Sequence, residues 1–287
     1  GLTGSGYLLV IHGFLNWFGI VNYQDAVLGV RLSGVFQYPN TFAAYLSGLI
    51  IICLIFTTSS KKWYVIISNS IMMVPIFLSY LLTLSRGGLV ILPCIILVYL
   101  VCIPWRKQLF VLLYLTITAV SSLAVFSQMS AIRTQLNEKF TASVSLKGWA
   151  ILTVLSLFVS LIVYVIQRFV CIPIHDKHLE NKVFKPTNFI IPAIFVVLTI
   201  LGVFLVFGND GFTKKLPYGI KQRVENISLE NSSILARGVF YEDSFKILRD
   251  YPVLGAGGGA WPSLYNHYKS YPYTSQQTHN IISQILV

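Results

Sequence analysis

The polar stretch Arg237–Pro262, "RGVFYEDSFKILRDYPVLGAGGGAWP", followed by a tyrosine-rich segment ending in "SQQTHN" (Ser275–Asn280), interrupts an otherwise very apolar chain. Of the 287 residues, 55% are hydrophobic and 11% charged. Soluble domains carry about 25% charged residues, so the composition indicates a polytopic membrane protein. In a soluble protein the formal charge of +11 would suggest nucleic acid. Here the basic residues fall mainly in short connections and in the long polar stretch, which points to membrane orientation and anionic ligands.

Apolar runs long enough to span a bilayer recur along the chain. They lie near Tyr7–Val21, Thr41–Thr57, Tyr64–Leu84, Gly88–Pro104, Leu109–Ser127, Gly148–Arg168 and Asn188–Gly208, and Ile281–Val287 opens another. The expected fold is therefore all-α: a transmembrane helix bundle of about seven spans plus a truncated one, with a large, partly helical external loop. Residues 1–208 form the bundle, 209–280 the loop and 281–287 the start of a last span. Gly1 in place of an initiating Met, and a last run barely begun, read as a piece of a longer protein. Pro75 and Pro93 are tolerable within spans, where neighbouring groups re-satisfy the freed carbonyls. Cys53, Cys94, Cys102 and Cys171 show no CxxC spacing, so neither a metal site nor a disulfide framework is indicated.

Lys and Arg in the connections set the orientation. One side carries Lys61, Lys62, Arg106, Lys107, Arg168, Lys177, Lys182 and Lys185; the other carries Arg31, Arg86, Arg133, Lys139 and Lys147. Eight against five favours the first side as cytoplasmic. Arg31, Arg86, Arg237 and His279 then share the external face.

Within the loop, Ser232 or Ser233 is expected to cap a helix running to about Asp250. Arg237, Tyr241, Phe245 and Leu248 make its buried stripe, while Glu242, Lys246 and Asp250 pair at i,i+4 on another face. Tyr251-Pro252 stops the helix, and "GAGGGAWP" must be tight, irregular backbone. Its glycines lack the strand–turn–helix context of a dinucleotide site. GxSxG and HExxH are absent, which weighs against an ordinary serine hydrolase or zincin.

Three further positions carry chemistry. In "RLSGVFQYPNTFAAYL" (Arg31–Leu46), Arg31 is either an interfacial anchor or an anion-binding group above the bundle mouth, and Pro39-Asn40 reads as a turn and helix cap. In "LLTLSRGGLVILP" (Leu81–Pro93), Arg86 is either solvated in a short hairpin or held at membrane depth. At depth it costs at least about 2.5 kcal/mol and reads as functional. His279 is either a polar boundary residue or a general base suited by its near-neutral pKa.

Together "RLSGVFQYPNTFAAYL", "LTLSRGG", "RGVFYEDSFKILRDYPVLGAGGGAW" and "THN", in that order, resemble the O-antigen ligase/O-antigen polymerase family of bacterial multi-span glycosyltransferases. The resemblance covers nearly the whole chain. It implies transfer of a glycan from undecaprenyl diphosphate to an acceptor hydroxyl of a glycan or lipid-linked partner, at the external membrane face. It implies no cofactor and no metal. Carried over by position, Arg31, Arg86 and Arg237 bind the diphosphate, with Arg86 and Arg237 also catalytic, and His279 is the base. A transporter or flippase of lipid-linked glycans is the alternative class, and a peptidoglycan polymerase differs only in its donor. A transporter should place ionisable groups near the bilayer midplane, whereas these spans carry almost none.

Overall fold

The computed structural model describes residues 1–177, 186–208, 232–252, 255–257 and 259–270. His279, the expected opening span at Ile281–Val287 and residues 209–231 of the expected loop lie outside them. The chain divides into two compact units, Gly1–Val224 and Glu225–Val287.

The first unit is built of α1 (Leu2–Trp17), α2 (Pro39–Ser59), α3 (Trp63–Leu82), α4 (Arg86–Val101), α5 (Trp105–Glu138), α6 (Ala142–Ile166), α7 (Ile172–Lys177) and α8 (Ile190–Gly208). One π turn, Gln167–Cys171, joins α6 to α7. Between α1 and α2 lies a two-stranded antiparallel hairpin, β1 (Val27–Leu28) and β2 (Arg31–Leu32), which an all-α reading leaves out. Among the described residues, four helices are long and apolar enough to cross a membrane: α2, α3, α5 and the segment Ala142–Ile174. Arg86–Val101 and Pro186–Gly202 are apolar but shorter.

Burial sorts these helices into layers. The most apolar window of α3 is 72% buried, against 28% in α5 and in the α6 segment. α3 is therefore the central helix, packed against α2, α5 and α6. The outer helices turn Leu113 and Val120 of α5, and Val154, Phe158 and Leu161 of α6, away from the protein. So broad an exposed apolar surface suits lipid rather than water. Side-chain bonds tie the layers where apolar packing alone has no direction. Ser70 and Ser160 share a hydrogen bond of 2.7 Å between α3 and α6, and Tyr114 donates to Gln167 Oε1 at 2.9 Å.

α5 departs from the sequence reading. The expected span ends at Ser127, yet the helix continues to Glu138, giving 34 residues. At 1.5 Å per residue that is about 51 Å, well beyond the ~30 Å hydrocarbon core. The added turns keep a buried stripe through Met129, Ile132 and Leu136, so the helix need not stop where its mean hydropathy falls. Arg133 consequently lies on a helix, where its Nη1 donates to the carbonyls of Asn16 and Trp17 at 3.0 and 3.3 Å. Those carbonyls belong to the last turn of α1, where that of Asn16 also accepts from the Gly19 N–H at 3.2 Å. α1 accordingly ends at Trp17, short of the expected Val21.

Phe18, fully buried, fills the junction beyond α1 and meets the Trp149 ring edge-on at a centroid distance of 5.2 Å. Gly148 on α6 makes room for it. A Cβ at Gly148 would stand 2.3 Å from Phe18 Cε1. Gly148→Ala is therefore expected to lower the thermal unfolding midpoint in nanodiscs, because overpacking costs about 1–3 kcal/mol while alanine's helix propensity returns only about 1 kcal/mol. A midpoint equal to or above wild type would contradict this packing.

The second unit contains α9 (Ser232–Asp250) and α10 (Ala260–Tyr268). α9 runs over the residues its caps and stop signals predict. Its buried face differs: Phe240, Asp243, Ser244 and Ile247 point inward, and Phe245 is 62% exposed. The expected stripe through Tyr241, Phe245 and Leu248 is thus corrected. Phe240 and Ile247 pack with Ala260, Trp261 and Tyr265 of α10. Asp243 can turn inward because Ser270 satisfies it, its N–H donating at 3.0 Å and its hydroxyl at 2.6 Å, and Lys246 adds a bond of 2.8 Å. Between the helices, Gly255, Gly257 and Gly259 take φ of 65°, 100° and 83°. Side chains rarely adopt these values, so the expected irregular turn depends on its glycines.

Candidate functional site

Three helix ends and the β1–β2 hairpin gather around Arg31 and Arg86. The α3–α4 connection is only Thr83–Ser85, and Leu84 within it takes φ of 49°. A left-handed leucine is strained and persists only when its surroundings impose it, a pattern concentrated at functional sites. The tight reversal places the C-terminus of α3 and the N-terminus of α4 side by side.

Arg31, on β2, reaches into that reversal. Its Nε donates to the Thr83 carbonyl at 2.9 Å and its Nη2 to Asn40 Oδ1 at 3.1 Å. Asn40 Oδ1 also accepts from Ser85 Oγ at 2.9 Å. The Ser85 hydroxyl in turn accepts from Gly88 N–H at 3.1 Å and so caps α4. One amide oxygen thereby joins Arg31, the first turn of α2 and the first turn of α4, where Arg86 is the opening residue. Pro39-Asn40 is not the cap the sequence suggests: Tyr38 is the N-cap without a side-chain bond, and Asn40 stands inside the helix as a bridge. Glycine at 88 allows the approach, since a Cβ there would meet Ala43 Cβ of α2 at 3.2 Å.

The electrostatics follow from this arrangement. Each helix N-terminus carries about half a positive charge from aligned peptide dipoles, and two such ends converge here with two half-buried guanidinium groups. Anions bind helix N-termini through the backbone N–H groups and the dipole together. Arginine adds a planar fork matched to two phosphate oxygens at once. The Thr83 and Asn40 bonds fix the plane of the Arg31 guanidinium before any ligand arrives.

Hydrogen bonds link Arg31 to Asn40 and, through the same amide oxygen, to Ser85 directly before Arg86. Arg237 lies on α9, three residues before Phe240, in the other unit. His279 lies outside the described residues. Sequence reasoning missed the bridging role of Asn40 and Ser85. The available signal was the Ser85-x-x-Gly88 cap spacing around Arg86. It also missed Asp243, which holds the α9–α10 pair to Ser270. Hydrogen bonding to Asp243 raises the Lys246 pKa, and Asp250 accepts from the Tyr268 hydroxyl at 2.7 Å, which pushes that phenol up to about 12. A raised pKa stabilises the protonated form. The Tyr268 contact is therefore complete below the phenol's ordinary value near 10 and is lost only as pH rises through about 12.

No curated protein and no solved structure matches the chain. A family model described as O-antigen ligase matches residues 140–287, just over half of its 287 residues. The match takes in α6, α8 and the whole second unit, including Arg237 and His279, and leaves Arg31 and Arg86 to be judged on their geometry. The apolar helices and this match together place the chain in the O-antigen ligase family, as a membrane glycosyltransferase of the O-antigen ligase type.

Proposed function

We propose that the protein transfers a glycan from undecaprenyl diphosphate to an acceptor hydroxyl at the external membrane face, as a surface-polysaccharide polymerase or ligase. The observation that carries the reading is the Arg31–Asn40–Ser85 network, which fixes one arginine beside another at two helix N-termini. A diphosphate is the portion of such a donor that this chemistry grips.

In this reading Arg31 and Arg86 hold the diphosphate and meet the negative charge that develops as it leaves. Preorganised donors stabilise a developing oxyanion because they need no reorientation during the reaction. Arg237 contributes further positive charge. His279 removes the acceptor's proton as its oxygen attacks the anomeric carbon. One displacement inverts that carbon. These roles of Arg237 and His279 rest on their place in the motif order.

Gene deletion separates the two activities. Loss of long surface chains with accumulated single repeat units indicates a polymerase, whereas complete lipid-linked chains that never reach their acceptor indicate a ligase. Unaltered surface polysaccharide and unaltered lipid-linked intermediates would remove the function. The external assignment has its own test. Cysteines placed at Lys182 and Lys221 should differ toward an impermeant thiol reagent on intact cells, with only the Lys221 position labelled. The reverse pattern would put the long loop on the cytoplasmic side.

A further inference from the structure

A second recess opens at the same end of the bundle as Arg31 and Arg86. It encloses about 300 Å³, and its walls include Asn16, Tyr23, Asp25, Arg133, Asn137 and Phe140. Small-molecule sites run from about 300 to 1,000 Å³, so the space suits a ligand of one or two rings. The end of α1, the turn after it and the last turns of α5 supply the walls. The added length of α5 is what closes the outer side.

The recess is built by buried polar bonds. Asn16 is 3% exposed; its Nδ2 donates to the His12 carbonyl at 2.8 Å and its Oδ1 accepts from Tyr23 N–H at 2.7 Å. That second bond holds the turn presenting Tyr23. Arg133 is held through the α1 carbonyls, while its buried Nε has no hydrogen-bond partner among the described residues.

The chemistry of the lining selects the ligand class. Arg133 and Asp25 cancel in formal charge, so the recess lacks the net positive potential that draws a phosphate. Its amides each donate and accept, which suits hydroxyl groups that do the same. Tyr23 and Phe140, 44% and 55% exposed, offer ring faces to the apolar side of a flat ligand. An acyl or isoprenoid chain would meet too many polar groups. Val27 also lines the recess and pairs in register with Leu32, the residue after Arg31. One strand spacing, about 4.8 Å, therefore separates this wall from the strand bearing Arg31.

We propose that the recess is a saccharide subsite, binding a neutral sugar of one substrate next to the diphosphate. The inference rests on the functional reading above and adds where the glycan lies. The double variant Tyr23→Ala/Asn137→Ala removes two exposed wall groups and spares the Arg133 cap on α1. It is tested as the full chain in nanodiscs with three readouts: Kd for bare undecaprenyl diphosphate, Kd for the lipid-linked repeat unit extracted from host membranes, and KM for the acceptor. Bare undecaprenyl diphosphate should bind as in wild type. Either the lipid-linked repeat unit should bind about tenfold more weakly, placing the donor's sugar in the recess, or the acceptor KM should rise about tenfold, placing the acceptor there; this is the size expected from losing one or two neutral hydrogen bonds. No change in either overturns the subsite, as does an equal loss for the bare diphosphate. Arg86→Lys is run alongside. If it leaves bare undecaprenyl diphosphate binding intact, the functional reading fails and the subsite falls with it.

Discussion

Arg86→Lys is expected to lower transfer activity by about 10- to 100-fold while the protein still reaches the membrane in normal amount. Lysine keeps the charge and loses the planar fork, so two parallel bonds to phosphate oxygens become one mobile contact. A hydrogen bond to a charged group is worth about 1.5–3 kcal/mol, and the expected loss is of that size. Position matters as much as chemistry. Arg86 opens α4, and Ser85 caps that helix while bonding to Asn40, so residue 86 starts from a fixed backbone. The variant should raise the donor Kd as well as slow turnover. Wild-type kinetics in Arg86→Lys would leave Arg86 as a solvated turn residue and return the alternative of a short, functionless hairpin.

His279→Ala is expected to reduce the transfer rate by about 10²-fold or more, the contribution typical of a positioned general base. The acceptor hydroxyl is a poor nucleophile at neutral pH, and the imidazole is the group proposed to accept its proton during attack. Donor binding should be spared, because in the proposed mechanism the base touches the acceptor's proton and the arginines hold the diphosphate. The product anomer should be inverted relative to the donor, and activity should persist in EDTA. Retention of configuration would eliminate the single displacement, and a fully active His279→Ala enzyme would eliminate this base.

Much of the bundle is legible in the sequence because apolar runs and breaker residues act locally. The Tyr251-Pro252 stop and the glycine run each describe their own backbone and agree with the structure, whereas Ser232, expected with Ser233 as a cap, is already the first helical residue. Where the reading fails, a distant partner decides. α5 outlasts its apolar run where the end of α1 meets it, Trp17 Nε1 donating to the Met129 carbonyl and Arg133 to the α1 carbonyls, and no window on α5 alone shows α1. The buried face of α9 was misassigned because Asp243 looks solvent-bound until Ser270, 27 residues away, meets its carboxylate. The arginines were visible as candidates by residue type. Their convergence was not, since it depends on Asn40 and Ser85 meeting across 45 residues of chain.

The identity of residue 40 bears directly on the proposed diphosphate site. An aspartate would fit the same space and accept the same two hydrogen bonds. It would also neutralise Arg31, leaving a closed ion pair that an incoming diphosphate must break. The asparagine amide sets the angle of the guanidinium and takes none of its charge. An amide at this position thus sets the angle of the Arg31 guanidinium without placing a carboxylate charge against it, which in the proposed function eases the exchange of one diphosphate for the next.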